Sequence, residues 1–499
     1  MIAGDASLSF IAGYINSTAM ITYRNPKICF GGISVLPPPV VEVETALPAF
    51  VGYTAKAASK VSMDLILVPT LINSMREFEN FFGLPYENEI TITIQRNSDN
   101  EFSIFSFKEV GLKYLLYYSV KIYFENGGGP CYIISVDTYQ DPQQVLLKKH
   151  KGSPHAGLLD GLFSLSEVTD ISLILIPEAV KLSASEYSQL VRAALLQCHT
   201  LDNRFAIFDL YEGDVHNPDL SHCIGLFGDQ YLNCGSAYYP FVRTTMNSYV
   251  NTEGSNVKVI CNGKEYKLDQ LKKLGWSVTR LVKRELRNRF VNLPSSGAVA
   301  GAYVTSDKNR GVWKSPANLS LYGIMEPLVA IDKQSYQMHD VASDFGKSIN
   351  NVRSFSGKGV LVRGARTLES NDNEEQYVSV RRFMIMVKES LRTSTSWVIF
   401  EPNDTNTWMK ICMMIEYYLT TKWSEGALAG ISPQQAFYVN CGLGTTMTSL
   451  DVEEGRIIVE VGIAILRASE FKLIRFSHSL KFSKSLRKYD RSGFALPQG

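Results

Sequence analysis

The sequence has almost no net charge: 50 Lys and Arg against 49 Asp and Glu leave +1 over 499 residues. That balance argues against bulk binding of nucleic acid or of an anionic membrane, and near-neutral surfaces associate readily. The N-terminal stretch MIAGDASLSFIAGYINSTAM has no basic n-region, so no export is inferred from it. Gly4, Asp5 and Asn16 interrupt it, which argues against a membrane span. The eight cysteines show no repeated CxxC spacing; they read as reduced, cytosolic thiols. No internal repeat is found.

Catalytic signatures are also missing. Gly127-Gly128-Gly129 follows a helical pattern and precedes a strand, whereas a phosphate cradle needs strand, glycines, then a helix N-terminus. The glycines read as a helix stop. The turn after Ile176 is Pro177-Glu178-Ala179, without a dinucleotide fingerprint. Gly346-Lys347-Ser348 ends like a P-loop, but Val341 stands where the first glycine is required. Asp344-Phe345-Gly346 is followed by no HRD. His216, His222, Cys223 and Cys234 meet none of the structural-zinc spacings. No GxSxG occurs. The expectation is a non-enzymatic chain with no catalytic, cofactor or metal residues.

What is present is an ordinary folded composition, 45% hydrophobic and 20% charged, in a chain long enough for two or more domains. It is organised around Arg456 to His478. Ile457, Val459, Val461, Ile463 and Ile465 alternate on one face of a strand, and a second strand runs from Phe471 to Phe476. Strands this apolar near the chain end must be covered by the chain's own core or by another copy.

Residues up to about Thr45 read as an arm, with Leu36-Pro37-Pro38-Pro39 extended. Ala49 to Tyr53 is a short strand entering the folded part. Helices are expected at Tyr114–Glu125, at His155–Leu165 and from the capping box Ser183–Glu186 to about His199. Strands are expected at Tyr132–Val136, Ile171–Ile176 and Arg204–Leu210. This alternation predicts a mixed, mainly parallel α/β core with right-handed crossovers. Past the acidic junction Glu369–Glu375 come a helix (Arg381–Leu391), a strand (Trp397–Phe400) and a helix (Thr405–Trp423), giving a C-terminal α+β domain.

Two helices invite a functional reading. In the last, Trp408, Ile411, Cys412, Ile415, Leu419 and Trp423 form a core stripe, while Met409, Lys410, Met413, Met414 and Tyr417 form a second, unusually apolar face. That face is either an adaptable partner contact or buried as well. The basic run Lys272, Lys273, Arg280, Lys283, Arg284, Arg287 and Arg289 could touch phosphates. Asp269 and Glu285 interrupt it and stacking aromatics are sparse, so a solvated face or a subunit contact is the better reading.

Several segments resemble the contractile tail sheath family of phage tails, R-type pyocins and phage-like extracellular injection systems. They are YRNPKICFGGISVLPPPVVEVETALPAFVGYTAKA, YYSVKIYFENGGGPCYIISV, SGAVAGAYVTSDKNRGVWKSPAN, GKGVLVRGARTL, YVSVRRFMIMVKESL and the stretch from Phe437 through His478. The blocks Arg310-Gly311-Val312-Trp313-Lys314 and Gly364-Ala365-Arg366-Thr367 are the most specific; Lys27 stands where the family usually has glycine.

The resemblance implies an N-terminal arm (1–45), an α/β sheath domain (46–368, with 203–292 as a candidate outer part), a C-terminal inner domain (376–478) and a tail (479–499). It implies hexameric rings stacked around an inner tube, metastable when extended, that contract to drive the tube through a target membrane. Expected partners are further copies of the chain, the inner tube protein, and baseplate and terminal cap proteins. No nucleic acid or membrane span is expected. Assembly would be in the bacterial cytoplasm, and the resemblance leaves both a phage tail and a released injector open. In the family, arms are exchanged between subunits. Val40, Val41 and Val43, and Glu470, Phe471, Leu473, Arg475 and Phe476, are therefore the expected strand-pairing residues. Lys410, Met413, Tyr417 and Lys422 are the expected tube contacts.

Overall fold

A computed structural model describes residues 38–96, 102–109, 111–140, 145–147, 156–216, 218–250, 256–261, 263–330, 347–370 and 375–480. The expected arm before Pro38, His155, the Asp344-Phe345-Gly346 motif and the tail after Leu480 lie outside them. The chain opens with β1 (Pro48–Thr54), β2 (Thr70–Ile72), α1 (Met75–Phe82), β3 (Ile90–Arg96) and β4 (Phe102–Glu109). There follow α2 (Leu116–Glu125), β5 (Cys131–Thr138), α3 (Leu158–Ser164), β6 (Leu173–Leu175), α4 (Ala184–Leu201), β7 (Phe205–Asp209) and α5 (Leu220–Gly225). Next come β8 (Gly235–Tyr239), β9 (Val242–Asn247), β10 (Val257–Cys261), β11 (Lys264–Lys267), α6 (Trp276–Arg287), β12 (Phe290–Leu293) and α7 (Ser296–Arg310). After these come β13 (Leu319–Ser320), β14 (Ile324–Pro327), β15 (Asn350–Phe355), β16 (Gly359–Arg363), α8 (Val378–Ser394), α9 (Thr405–Ser424), β17 (Phe437–Asn440), β18 (Arg456–Ile463) and β19 (Lys472–Ser479), with short helical turns at Pro433–Ala436 and Ser449–Glu453.

Nine strands form the main sheet in the order β13-β16-β15-β8-β7-β6-β1-β5-β2. The six from β15 to β5 are parallel to their neighbours, and antiparallel strands close both ends. The mixed, mainly parallel core is as expected. Its sides are set by alternation along β1, where Ala49, Val51 and Tyr53 enter one core and Phe50 the opposite one. Helices α3 and α4 cover the first face, α2 and α7 the second. The segment read as a short entry strand is thus a middle strand of the sheet. Helix α4 opens as the sequence predicts: the Glu186 carboxylate accepts from Ser183 N (3.2 Å) and Ser183 Oγ (2.7 Å).

A small module joins β11-β10-β3-β4 to α6 around Ile90, Ile92, Ile94, Val257, Val259, Val278 and Val282. The stretch 203–292 is therefore divided: β7 and β8 lie in the main sheet, while 257–287 pairs with the distant segment 90–109. Helices α8 and α9 and the sheet β17-β18-β19 share a third core. The strand expected at Trp397–Phe400 is instead a 3-10 turn, Ser396–Phe400. Only Val398 enters the core, and β17 and β19 already occupy both edges of β18.

Candidate inter-subunit surfaces

The segment leaving the arm is fixed to its own chain. The amides of Val41 and Val43 donate to Ser394 Oγ (2.9 Å) and Ser390 Oγ (3.0 Å), one turn apart on α8. Thr45 Oγ1 donates to Asp307 Oδ2 (2.7 Å), and Arg382 donates to the Thr45 carbonyl (2.9 Å). Arg382 and Asp307 form a buried ion pair at 2.5 Å, with the guanidinium over the Tyr303 ring. The Leu47 amide reaches Ser172 Oγ (2.7 Å). Side-chain oxygens therefore do the work of a strand partner. Val40 and Val43 pack on the third core, and Val41 is exposed. Of the three valines expected to pair with a neighbouring subunit, Val41 and Val43 have their amides engaged within this chain.

Lys422 is likewise held within its own chain. Its side chain is 7% exposed and its ammonium lies between Glu42 and Glu425, the latter at 2.7 Å, over the rings of Trp313 and Tyr418. It ties Glu42, in the segment that enters the folded part, to α9. Burial works against its charge, but the hydrogen bonds to Glu42 and Glu425 outweigh burial and hold its pKa above the ordinary lysine value. The other three expected contacts remain on the surface. Met409, Met413 and Tyr417 form an exposed stripe at i, i+4, i+8 on α9, flanked by the half-exposed Lys410, which lies 3.9 Å from Glu401. Met414, assigned to that face by its spacing, is buried with Ile411, Ile415 and Leu419.

The closing ribbon is covered by its own chain. Ile457, Val459, Val461 and Ile463 are buried in the third core, and β19 pairs with β18 in register from Lys472 to Ser479. Phe476 faces that core with Ile474 and His478. Thr395 Oγ1 lies 2.7 Å from the His478 ring nitrogen, and burial, then Arg392, lowers the His478 pKa. Within the chain, β19 is held to β18 at eight positions. β19 is nevertheless an edge strand, and its outward residues Leu473 and Arg475 are exposed. Phe471 packs edge-on against Tyr438, and Glu470 pairs with Arg467.

Elsewhere, groups that resemble chemistry are structural. Glu178 follows β6 and Asp209 ends β7, at the carboxyl end of the sheet where α/β folds bind ligands. Glu178 accepts from the amides of Leu115 (3.0 Å) and Leu116 (2.9 Å), and Asp209 from Ser296 N (2.8 Å), so each caps a helix. Burial pushes their pKa up to about 7 and about 6. A cleft of about 360 Å³ beside the arm root is lined by Arg382 and Arg392, which are already paired with Asp307 and Glu389. Lys347 of the P-loop-like triplet is buried against Asp229 at 2.8 Å. Cys223 and Cys234 are buried while His222 is exposed, and no metal-holding group forms among the described residues. No helix among them is long and apolar enough to cross a membrane.

The third core and its approach decide the relationship. Residues 370–477 match the phage tail sheath C-terminal domain. That part of the chain belongs to the phage tail sheath family. The sheath fold extends over nearly the whole chain. It is similar to the helical sheath of the anti-feeding prophage in its contracted state, at 23% identity over 91% of this chain and 99% of that one, TM-score 0.59. A chain in the contracted anti-feeding prophage baseplate is 24% identical over 93% and 100%, TM-score 0.59. The contracted sheath complex of PVC, an extracellular contractile injection system, is 22% identical over 93% and 99%, TM-score 0.57. No curated protein matches the sequence.

The sequence reading missed Glu42, Ser172, Ser390, Ser394, Asp307 and Arg382. Their signal was local: two hydroxyls, Ser390 and Ser394, four residues apart on one helix, and a lysine inside an apolar stripe.

Proposed function

We propose that this chain is a structural, non-enzymatic subunit of the sheath of a phage tail-like contractile injection system. It polymerises as hexameric rings stacked around an inner tube, docks on a baseplate and a terminal cap, and contracts to drive the tube through a target membrane. The observation that carries the reading is the sheath C-terminal domain set within a sheath fold spanning the chain. The named likenesses to injection systems favour a released particle, assembled in the bacterial cytoplasm, over the tail of a DNA-delivering phage.

The open edge of β19 and the exposed Met409–Met413–Tyr417 stripe supply the contacts this role needs. A neighbouring subunit adds a strand along the outward side of β19, and the α9 stripe with Lys410 rests on the tube. Contraction then requires two packings of the same subunit, the extended one higher by about a few kcal/mol each. Electron microscopy of the purified chain, alone and with its inner tube protein, tests the proposal. Six-fold rings stacked into tubes are expected; dispersed monomers under both conditions would overturn it.

A further inference from the structure

The net charge of +1 hides a segregation. Residues 256–289 hold ten Lys or Arg and three Asp or Glu, so the remainder of the chain is net acidic. On α6 the basic residues are arranged with a tryptophan. Trp276, Arg280, Lys283, Arg284 and Arg287 stand at i, i+4, i+7, i+8 and i+11, on one side of a helix with 3.6 residues per turn. All five are exposed, Trp276 at 82%. The other side places Val278 and Val282 in the module core. Glu285, the one acid within α6, is paired with Arg289 at 2.6 Å, whose guanidinium lies 3.8 Å over the Phe107 ring. Among the described residues, none of the four stripe cations forms an ion pair.

This face repels itself. Arg280 with Lys283 and Arg284, and Arg287 with Lys283 and Arg284, are like charges three or four residues apart, which weakens a helix. The free indole adds apolar surface that the module leaves in water. A broad anionic surface relieves both at once. The stripe is one helix face with a single ring at its head, so it offers no succession of aromatics for stacking bases. Tryptophan beside arginine and lysine is the composition that settles at a lipid headgroup layer.

We infer that the α6 stripe is a peripheral docking surface for an anionic phospholipid membrane. The apolar side of the helix stays in the module core, so α6 lies on the headgroups without inserting, and Trp276 reaches between them. Each cation adds about five-fold to the affinity at such a surface. The inference stands independently of the sheath reading.

Cosedimentation of the full-length chain, recovered as subunits or tubes, with lipid vesicles is the test. Vesicles of phosphatidylcholine mixed with phosphatidylglycerol should carry the protein down, phosphatidylcholine alone should not, and added salt should release it. Trp276→Ala should weaken binding about ten-fold and Arg280→Glu with Arg284→Glu about a hundred-fold or more. Circular dichroism should be unchanged, because all three side chains are exposed. Equal binding to both vesicle types, no binding to either, or tighter binding to duplex DNA than to the mixed vesicles would each overturn the assignment.

Discussion

Lys422→Met tests whether the root of the arm is clamped. The lysine is buried, while the side chains of Glu42 and Glu425 are 39% and 40% exposed. Breaking a fully buried ion pair costs about 3–5 kcal/mol, and an exposed one is worth about 0–1 kcal/mol. With solvent reaching both carboxylates, a loss of about 1–2 kcal/mol is expected. Methionine keeps an aliphatic stem against Trp313 and Tyr418, so the loss reports the charge more than the packing. The readout is local. The Val41 and Val43 amides are held by Ser394 and Ser390, and their hydrogen exchange should accelerate about 5- to 30-fold, following the factor of ten per 1.4 kcal/mol. Amides of β1 in the middle of the main sheet should not change. Adding Glu42→Gln to the variant should cost little more, since the partner charge is already gone. Unchanged exchange at Val41 and Val43 would refute the clamp. An equal rise in β1 would instead mean a global loss of stability.

Other perturbations probe the sheet and its buried titrating groups. A Cβ at Gly52 would stand 1.9 Å from Glu178 Oε2 and 3.1 Å from Leu116 Cβ. Gly52→Ala should therefore destabilise by about 3 kcal/mol, seen as a lower urea midpoint; a normal midpoint would mean that Glu178 yields freely. Glu178, pushed up to about 7 by burial, holds more protons folded than unfolded, so its contribution falls as pH rises from about 4.5 to 7. Glu178→Gln keeps an acceptor for both α2 amides and removes that slope. Its stability relative to wild type should rise by about 3 kcal/mol between pH 4 and 8, as measured by urea unfolding. His478 has the opposite sign. Its lowered pKa means that its stabilisation is present above about 6.5 and lost as pH falls below that value. Exchange of β19 amides, corrected for intrinsic rates, should quicken from pH 7.5 to 5.5, and His478→Gln should flatten that dependence.

Periodicity made the helices and the parallel strands legible. Tyr114–Glu125, Ser183–His199 and Arg204–Leu210 fall on α2, α4 and β7, because alternation and a capping box act within a few residues. The small module escaped because β3 and β10 pair across more than 160 residues, a distance no local pattern spans. The fates of Lys410 and Lys422 show the same limit. Both looked like surface lysines on one helix, yet one remains half-exposed and the other is buried against Glu42, which lies far away in sequence. Total charge is blind to distribution in a similar way, since the sum over 499 residues cancels a cation-rich module against an acidic remainder.

The arm root also constrains how such a chain can transmit force. Tension applied before Pro38 arrives at Val41, Val43, Thr45 and Leu47, whose partners lie on α8, α7 and the loop before β6. The Glu42–Lys422 pair adds α9. A hydrogen bond to a serine hydroxyl contributes only about 1 kcal/mol, but contacts spaced along one extended segment share a pull along its axis. The load reaches the second and third cores together, tied by the buried Arg382–Asp307 pair. Those cores should then move as one body. For the contraction proposed above, the anchoring contacts lie within one chain, so a change of packing between copies need not break them.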